Sequence, residues 1–163
     1  MKTVQKEEIQ RVIVKREARS YKGDFGRLLL IGGTYPYGGA IIMAALAAVH
    51  SGAGLVTVAT DPDNLSALHS HLPEAMGFDL ADHELLCEQV QKASVILVGP
   101  GLKETRKSQA ILHMVFEQVS RHQVLILDGG AINLFAASQF DLPEAQLVFT
   151  LIKKNGKNCQ GLI

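Results

Sequence analysis

The sequence predicts a three-layer α/β fold, with a mostly parallel, doubly wound sheet between two layers of helices. Three observations carry this expectation. Short continuous apolar runs recur at 27–33, 55–60, 94–98, 124–127 and 146–150, as in parallel strands covered on both faces. They alternate with stretches of helical apolar spacing, the pattern of βαβ units. Three of the runs end in Gly32-Gly33, Gly99-Pro100-Gly101 and Asp128-Gly129-Gly130. Small, turn-forming or acidic residues suit the carboxyl edge, where parallel sheets bind ligands.

Each element has its own signal. Residues 7–19 set Ile9, Val12, Ile13 and Ala18 among charges, which predicts a short amphipathic helix. The run 27–33 reads as a central strand. Gly38 to Ser51 is small and apolar almost throughout, which predicts a buried helix closed by Gly52 and Gly54. Leu55–Thr60 is the next strand, and Asp61 or Asp63 is placed to cap a helix to about His71 with Pro62 near its first turn. A helix over His83–Lys92 precedes a strand over Ser94–Val98. Thr105–Arg121 is a longer amphipathic helix with Ile111, Leu112, Val115, Phe116 and Val119 on one side. The strand Val124–Leu127, a helix over Ala131–Ser138 and a last strand over Gln146–Thr150 complete the series.

Bulk properties narrow the function classes. A chain of 163 residues suits one domain with a sizeable core. Its 16 basic residues balance 16 acidic ones, so nothing resembles a nucleic-acid footprint. The polar start Met1–Glu8 predicts no signal peptide, and no apolar run reaches membrane-spanning length. Cys87 and Cys159 lie far apart without metal-type spacing, which predicts a reduced, cytoplasmic protein.

The candidate chemistry gathers at the strand ends. Lys22-Gly23-Asp24-Phe25-Gly26-Arg27 leads into the first strand, and Tyr37-Gly38-Gly39-Ala40 follows it. Glycine turns that open helices let a backbone approach a phosphate, so a nucleotide or phosphorylated ligand leads; packing-only turns are the alternative. Gly99-Pro100-Gly101 is placed to wrap a ligand through backbone N–H groups, or to serve as a structural turn. Asp128 follows four apolar residues and suits a hydroxyl, a water or a metal-bound phosphate, or a simple turn cap. Asn133 points either into the same cleft or to solvent. His50, His69, His71, His83, His113 and His122 form no convincing metal pair, so no metal ligand is assigned. Neither a G-x-S-x-G elbow nor a Walker lysine motif is present.

The lead-in, the Leu30-Ile31-Gly32-Gly33 strand end, Tyr37-x-Gly39-Ala40, His50-Ser51-Gly52-Ala53-Gly54-Leu55-Val56-Thr57-Val58-Ala59, Gly99-Pro100-Gly101-Leu102 and Leu127-Asp128-Gly129-Gly130-Ala131-Ile132-Asn133-Leu134 together resemble the ADP/ATP-dependent NAD(P)H-hydrate dehydratases. That family is a branch of the ribokinase-like superfamily, and the likeness runs in order over about residues 9–150. The resemblance implies a metabolite-repair lyase that removes water from the hydrated nicotinamide ring of NADH or NADPH, driven by ADP or ATP with Mg2+. It implies that Ala40 and Gly101 contact the hydrated dinucleotide, with Gly39, Gly99, Asp128 and Asn133 along the same rim. A homo-oligomer is expected. The family's catalytic aspartate sits in a downstream GTGD-like loop, so no catalytic residue is assigned in this chain. Where the family commonly continues GPGLG, this chain has Lys103 after Leu102. The alternatives are a ribokinase-like kinase of a vitamin precursor or sugar, and a non-catalytic nucleotide-binding fragment.

These expectations divide the chain at residue 150. Residues 1–150 read as the N-terminal part of a ribokinase-like nucleotide-binding domain, truncated relative to the family. Residues 151–163 break the pattern. When 151–161 are back-translated and one C is restored ahead of them, the shifted frame reads Pro-His-Gln-Lys-Glu-Trp-Glu-Lys-Leu-(Ser or Pro)-Gly, close to the family's continuation. The tail is therefore read as out of frame; a natural short tail is the alternative.

Overall fold

The computed structural model describes residues 5–12, 17–138 and 140–150. The tail 151–163, and with it the out-of-frame reading, lies outside the described residues.

Among the described residues, six parallel strands form one sheet in the order β3-β2-β1-β4-β5-β6. They are β1 (Arg27–Ile31), β2 (Leu55–Thr60), β3 (Met76–Asp79), β4 (Val95–Val98), β5 (Val124–Leu127) and β6 (Gln146–Phe149). Central β1 pairs with β2 in the register Leu30↔Val58 and with β4 in the register Leu30↔Leu97. The helices are α1 (Lys6–Val12), α2 (Gly38–His50), α3 (Leu65–His71), α4 (His83–Lys92), α5 (Arg106–Gln118) and α6 (Gly130–Ala137).

The period-two alternation of strand side chains divides the core into two layers. Leu30, Val56 and Val58 meet Ile41 and Ala45 of α2 and Leu68 of α3 on one face. Leu29, Ile31, Ile96, Val98, Leu125 and Leu127 meet Leu86 and Val90 of α4, Ile111, Leu112 and Val115 of α5, and Leu134 of α6 on the other. All five apolar residues expected on one side of α5 are buried, including Val119 just past its end. Phe116, Phe135, Phe140 and Phe149 add a chain of ring contacts, with Phe135 and Phe149 centroids 5.5 Å apart.

Four expectations are corrected. Of the helix expected over 7–19, the described residues 7–12 are helical and residues 18–19 form a turn. Ile9 is exposed, as is Ala18, and Ile13 lies outside the described residues. The strand β3 was not expected; its four residues pair in parallel with β2, Thr60 opposite Asp79. The helix α2 is not buried all round: only Gly38, Ile41 and Ala45 are, while Met43 is 71% exposed. The fourth concerns the lead-in Lys22–Phe25, a single 3-10 turn at the amino end of β1. Its Phe25 and Gly26 carbonyls accept the N–H groups of Gly54 and Leu55. The motif therefore closes the sheet at the end opposite the carboxyl edge. No helix among the described residues is long and apolar enough to cross a membrane.

Candidate functional site

The carboxyl edge of the sheet is built from three turns stitched through their backbones. Gly99 donates its N–H to the Ile31 carbonyl (3.0 Å), so the turn after β4 continues the ladder against β1. Gly33 donates to the Pro100 carbonyl (2.8 Å) and Thr34 to the Gly101 carbonyl (2.9 Å). The Thr34 hydroxyl donates to the same Gly101 carbonyl (3.0 Å) and accepts the Lys103 N–H (2.8 Å). Asp128 donates its N–H to the Val98 carbonyl (2.9 Å), which joins the turn after β5. The Asn64 amide donates to the Gly33 carbonyl and to the Thr60 hydroxyl (2.9 Å), so the turn after β2 braces the first turn from the other side.

This stitching requires glycine at two positions. Gly99 has φ +129°, and a Cβ there would stand 1.7 Å from the Asp128 carbonyl oxygen. Gly101 has φ +64°, and its Cβ would stand 2.2 Å from the Tyr37 carbonyl oxygen. These glycines serve backbone-to-backbone packing, which the sequence reading had offered as the alternative to ligand approach. Among the described residues the Gly101 N–H has no backbone partner and remains for a ligand in that turn, whereas Gly99 is engaged and Pro100 has no N–H.

The six residues singled out for the rim are therefore not equivalent. Gly39 and Ala40 lie exposed in the first turn of α2, and no atom stands within 4 Å of where a Gly39 Cβ would be. The α2 N-terminus has no side-chain cap. Gly101 touches this group through Tyr37. Gly99 is buried against Asp128 on the other side. The Asp128 carboxylate accepts a hydrogen bond from the Thr150 hydroxyl, so it has a partner within the fold. Asn133 donates its amide to a Glu104 carboxylate oxygen (2.6 Å), pointing to the loop before α5 and not into a cleft shared with Asp128. Gly39, Ala40 and Gly101 are brought together; Asn133 stands apart.

The sequence reading missed one concavity beside this rim. A cavity of about 540 Å³ lies over the carboxyl ends of β1, β2 and β3, lined by Thr34, Asp61, Pro62, the turn 79–81, His83 and the segment from Lys103 into α5. Asp61 had been assigned only a capping role, which it has, accepting the Asp63 N–H (3.2 Å). Asp79 escaped notice because β3 did. The signal available was the one used for Asp128: a carboxylate at the end of a strand.

No group of three or more His, Cys, Asp or Glu is placed to hold a metal ion among the described residues. What the arrangement offers is a backbone-lined rim at which α2 and α6 both start without a side-chain cap, beside a cavity with both acidic and basic side chains.

Comparison with known proteins gives a consistent match. The family model described as NAD(P)H-hydrate dehydratase matches residues 28–154. An ADP-dependent (S)-NAD(P)H-hydrate dehydratase of Streptococcus pneumoniae is 51% identical over 162 residues, covering 99% of this chain and 56% of the relative. A solved ribokinase-like superfamily protein from Enterococcus faecalis superposes with a TM-score of 0.83 at 46% identity, over 90% of this chain and 52% of that one. An ADP/ATP-dependent NAD(P)H-hydrate dehydratase from Bacillus subtilis, co-crystallised with ATP and Mg2+, superposes with a TM-score of 0.68 at 25% identity, over 89% of this chain and 50% of that one. The chain spans about half the length of the relatives it matches.

Proposed function

Because the chain belongs to the NAD(P)H-hydrate dehydratase family, we propose that it supplies the substrate-facing rim of an enzyme that uses ADP or ATP to remove water from hydrated NADH or NADPH. The observation that carries this reading is the cluster of Gly39, Ala40 and Gly101 at the carboxyl edge. There an open helix start, a side chain no larger than a methyl group and an unengaged N–H leave room for the hydrated ring to approach the backbone closely. The stitched turns tie these groups to one another through backbone hydrogen bonds, and such positioning is where much of the rate of a phosphoryl-transfer reaction originates.

When bound, the nucleotide supplies the phosphoryl group that makes the ring hydroxyl a leaving group. This chain's residues orient the ring beneath it. Gly101 donates its N–H, Ala40 sets the depth of approach, and the Asp128 carboxylate, steadied by Thr150, stands at the next strand end to accept from a hydroxyl. The residues fit a nucleotide at an uncapped helix start. They do not fit a caged metal: Asp128 offers one carboxylate, so Mg2+ would be held chiefly by phosphates, as is usual for it, and no step is assigned to it.

The test is a dehydration assay on the complete protein, with regain of NADH from its hydrate followed in the presence of ADP or ATP. Absence of regain with either nucleotide would overturn the reading. Calorimetry adds a check on the rim: Ala40→Leu, at an exposed position, is expected to abolish binding of hydrated NADH. Unchanged binding would remove Ala40 from the site.

A further inference from the structure

The cavity over β1, β2 and β3 has no role in the reading above. At about 540 Å³ it has the size of a small-ligand site, and it lies where open α/β sheets bind ligands. Pro62, Leu80, Ala110 and Ile111 give it apolar lining. Asp61 and Asp79, in the turn after β2 and at the end of β3, line it together with Lys103, ahead of α5, and Lys107, in the first turn of α5.

The charges are arranged for a ligand more than for the fold. Neither lysine has a carboxylate within ion-pair distance among the described residues. The first turn of α5 contains no acidic residue, although a helix start favours acids and disfavours cations. The helix's own donors are not what is on offer, since Thr105 already caps the Ser108 N–H (3.2 Å). In the same cavity, Asp61 and Asp79 each use one oxygen on a backbone N–H of their own turn, Asp63 (3.2 Å) and Ala81 (2.8 Å). That fixes each carboxylate and leaves its other oxygen to accept from a hydroxyl.

We propose that this cavity is a nucleotide monophosphate site: the base lies on the apolar lining, the phosphate meets Lys103 and Lys107, and the ribose hydroxyls donate to Asp61 and Asp79. Two carboxylates sharing the cavity with two lysines favour a sugar with one phosphate over a polyphosphate, whose further negative charges the acids would oppose. The cavity borders the Ala40–Gly101 rim through Thr34, whose hydroxyl holds the Gly101 carbonyl and the Lys103 N–H. Resting on the proposed function, the inference goes one step further: the adenylate end of the dinucleotide occupies this cavity while its nicotinamide end lies on the rim.

The probe is AMP, titrated into the 163-residue chain by calorimetry. AMP is expected to bind, and more weakly as salt rises. The double variant Lys103→Ala, Lys107→Ala is expected to weaken it by about tenfold or more, since hydrogen bonds to charged groups are worth about that factor or more each. Both lysines are exposed, so melting should not change. The pair Lys103→Arg, Lys107→Arg should keep most of the affinity, and Ala40→Leu should leave AMP binding intact. No AMP binding at millimolar concentration, indifference to the lysine changes, or loss on Ala40→Leu would each overturn the site. The two readings separate cleanly. Dehydration by the complete protein with AMP indifferent to the lysines removes this site alone. AMP held through the lysines without dehydration keeps the site and removes the dinucleotide.

Discussion

Glycines at the carboxyl edge divide into those the fold needs and those a ligand would need. Gly99→Ala forces a Cβ to within 1.7 Å of the Asp128 carbonyl at φ +129°. Neither atom can move without unpicking the turn, so the expected cost is about 2 kcal/mol or more, a melting shift of roughly 5 °C or more. Gly39→Ala meets nothing within 4 Å in the first turn of α2, and alanine is the better helix former by about 0.5–1 kcal/mol. Its melting temperature should hold or rise slightly, while binding of hydrated NADH falls. Thermal melts of both variants check this; equal losses would mean that the rim is uniformly structural. Asp128 is a third case. Asparagine keeps an oxygen for the Thr150 hydroxyl, so Asp128→Asn should change stability by about 1 kcal/mol or less and lower the turnover of the complete enzyme. Normal turnover with a large stability loss would make Asp128 a structural turn residue.

At the scale of elements, burial depends on what lies opposite. The helix α2 covers only the β1–β2 half of one sheet face, through Ile41 and Ala45. Ile41→Ala should therefore cost about 2–4 kcal/mol, and Met43→Ala about 0.5 kcal/mol or less; denaturant melts measure both, and similar costs would contradict the exposed placement of Met43. The same dependence explains what was legible in the sequence. The strands β1, β2, β4, β5 and β6 announce themselves as apolar runs. The strand β3 does not, because Met76-Gly77-Phe78-Asp79 is short, carries a glycine and is held by one neighbour. The helix α2 has almost no polar residue to mark its outer face, so composition could not tell half-buried from buried. The rim was legible as a place, from glycines at strand ends, but the reason for Gly99 was tertiary: the Asp128 carbonyl it faces is 29 residues away. The cavity was illegible because two of its acids belong to turns with other local duties, and its lysines look like ordinary surface.

For the whole molecule, the decisive asymmetry is between the two flanks of the sheet. On the β3 flank α2 and α3 cover one face and α4 the other. On the β6 flank α5 and α6 pack on Leu125, Leu127, Leu147 and Phe149, while the opposite face shows Ile126 half-buried and Val148 38% exposed. Among the described residues β6 pairs only with β5, so its outer N–H and C=O groups form an edge open to another strand. An exposed edge beside an apolar face is a site of self-pairing. We therefore expect the 163-residue chain to self-associate through β6. Val148→Lys puts a charge on the exposed face without touching Leu147 or Phe149, and charged residues on edge strands oppose such pairing. It should shift the mass measured by light scattering toward the monomer, with melting changed by about 0.5 kcal/mol or less in stability terms. A lysine at Met43, which is more exposed and lies on α2 instead of the edge strand, should leave the mass unchanged. If Met43→Lys disperses the assembly and Val148→Lys does not, the contact runs through α2 instead of the sheet edge; if the unaltered chain is monomeric at every concentration, β6 is not an adhesive edge at all.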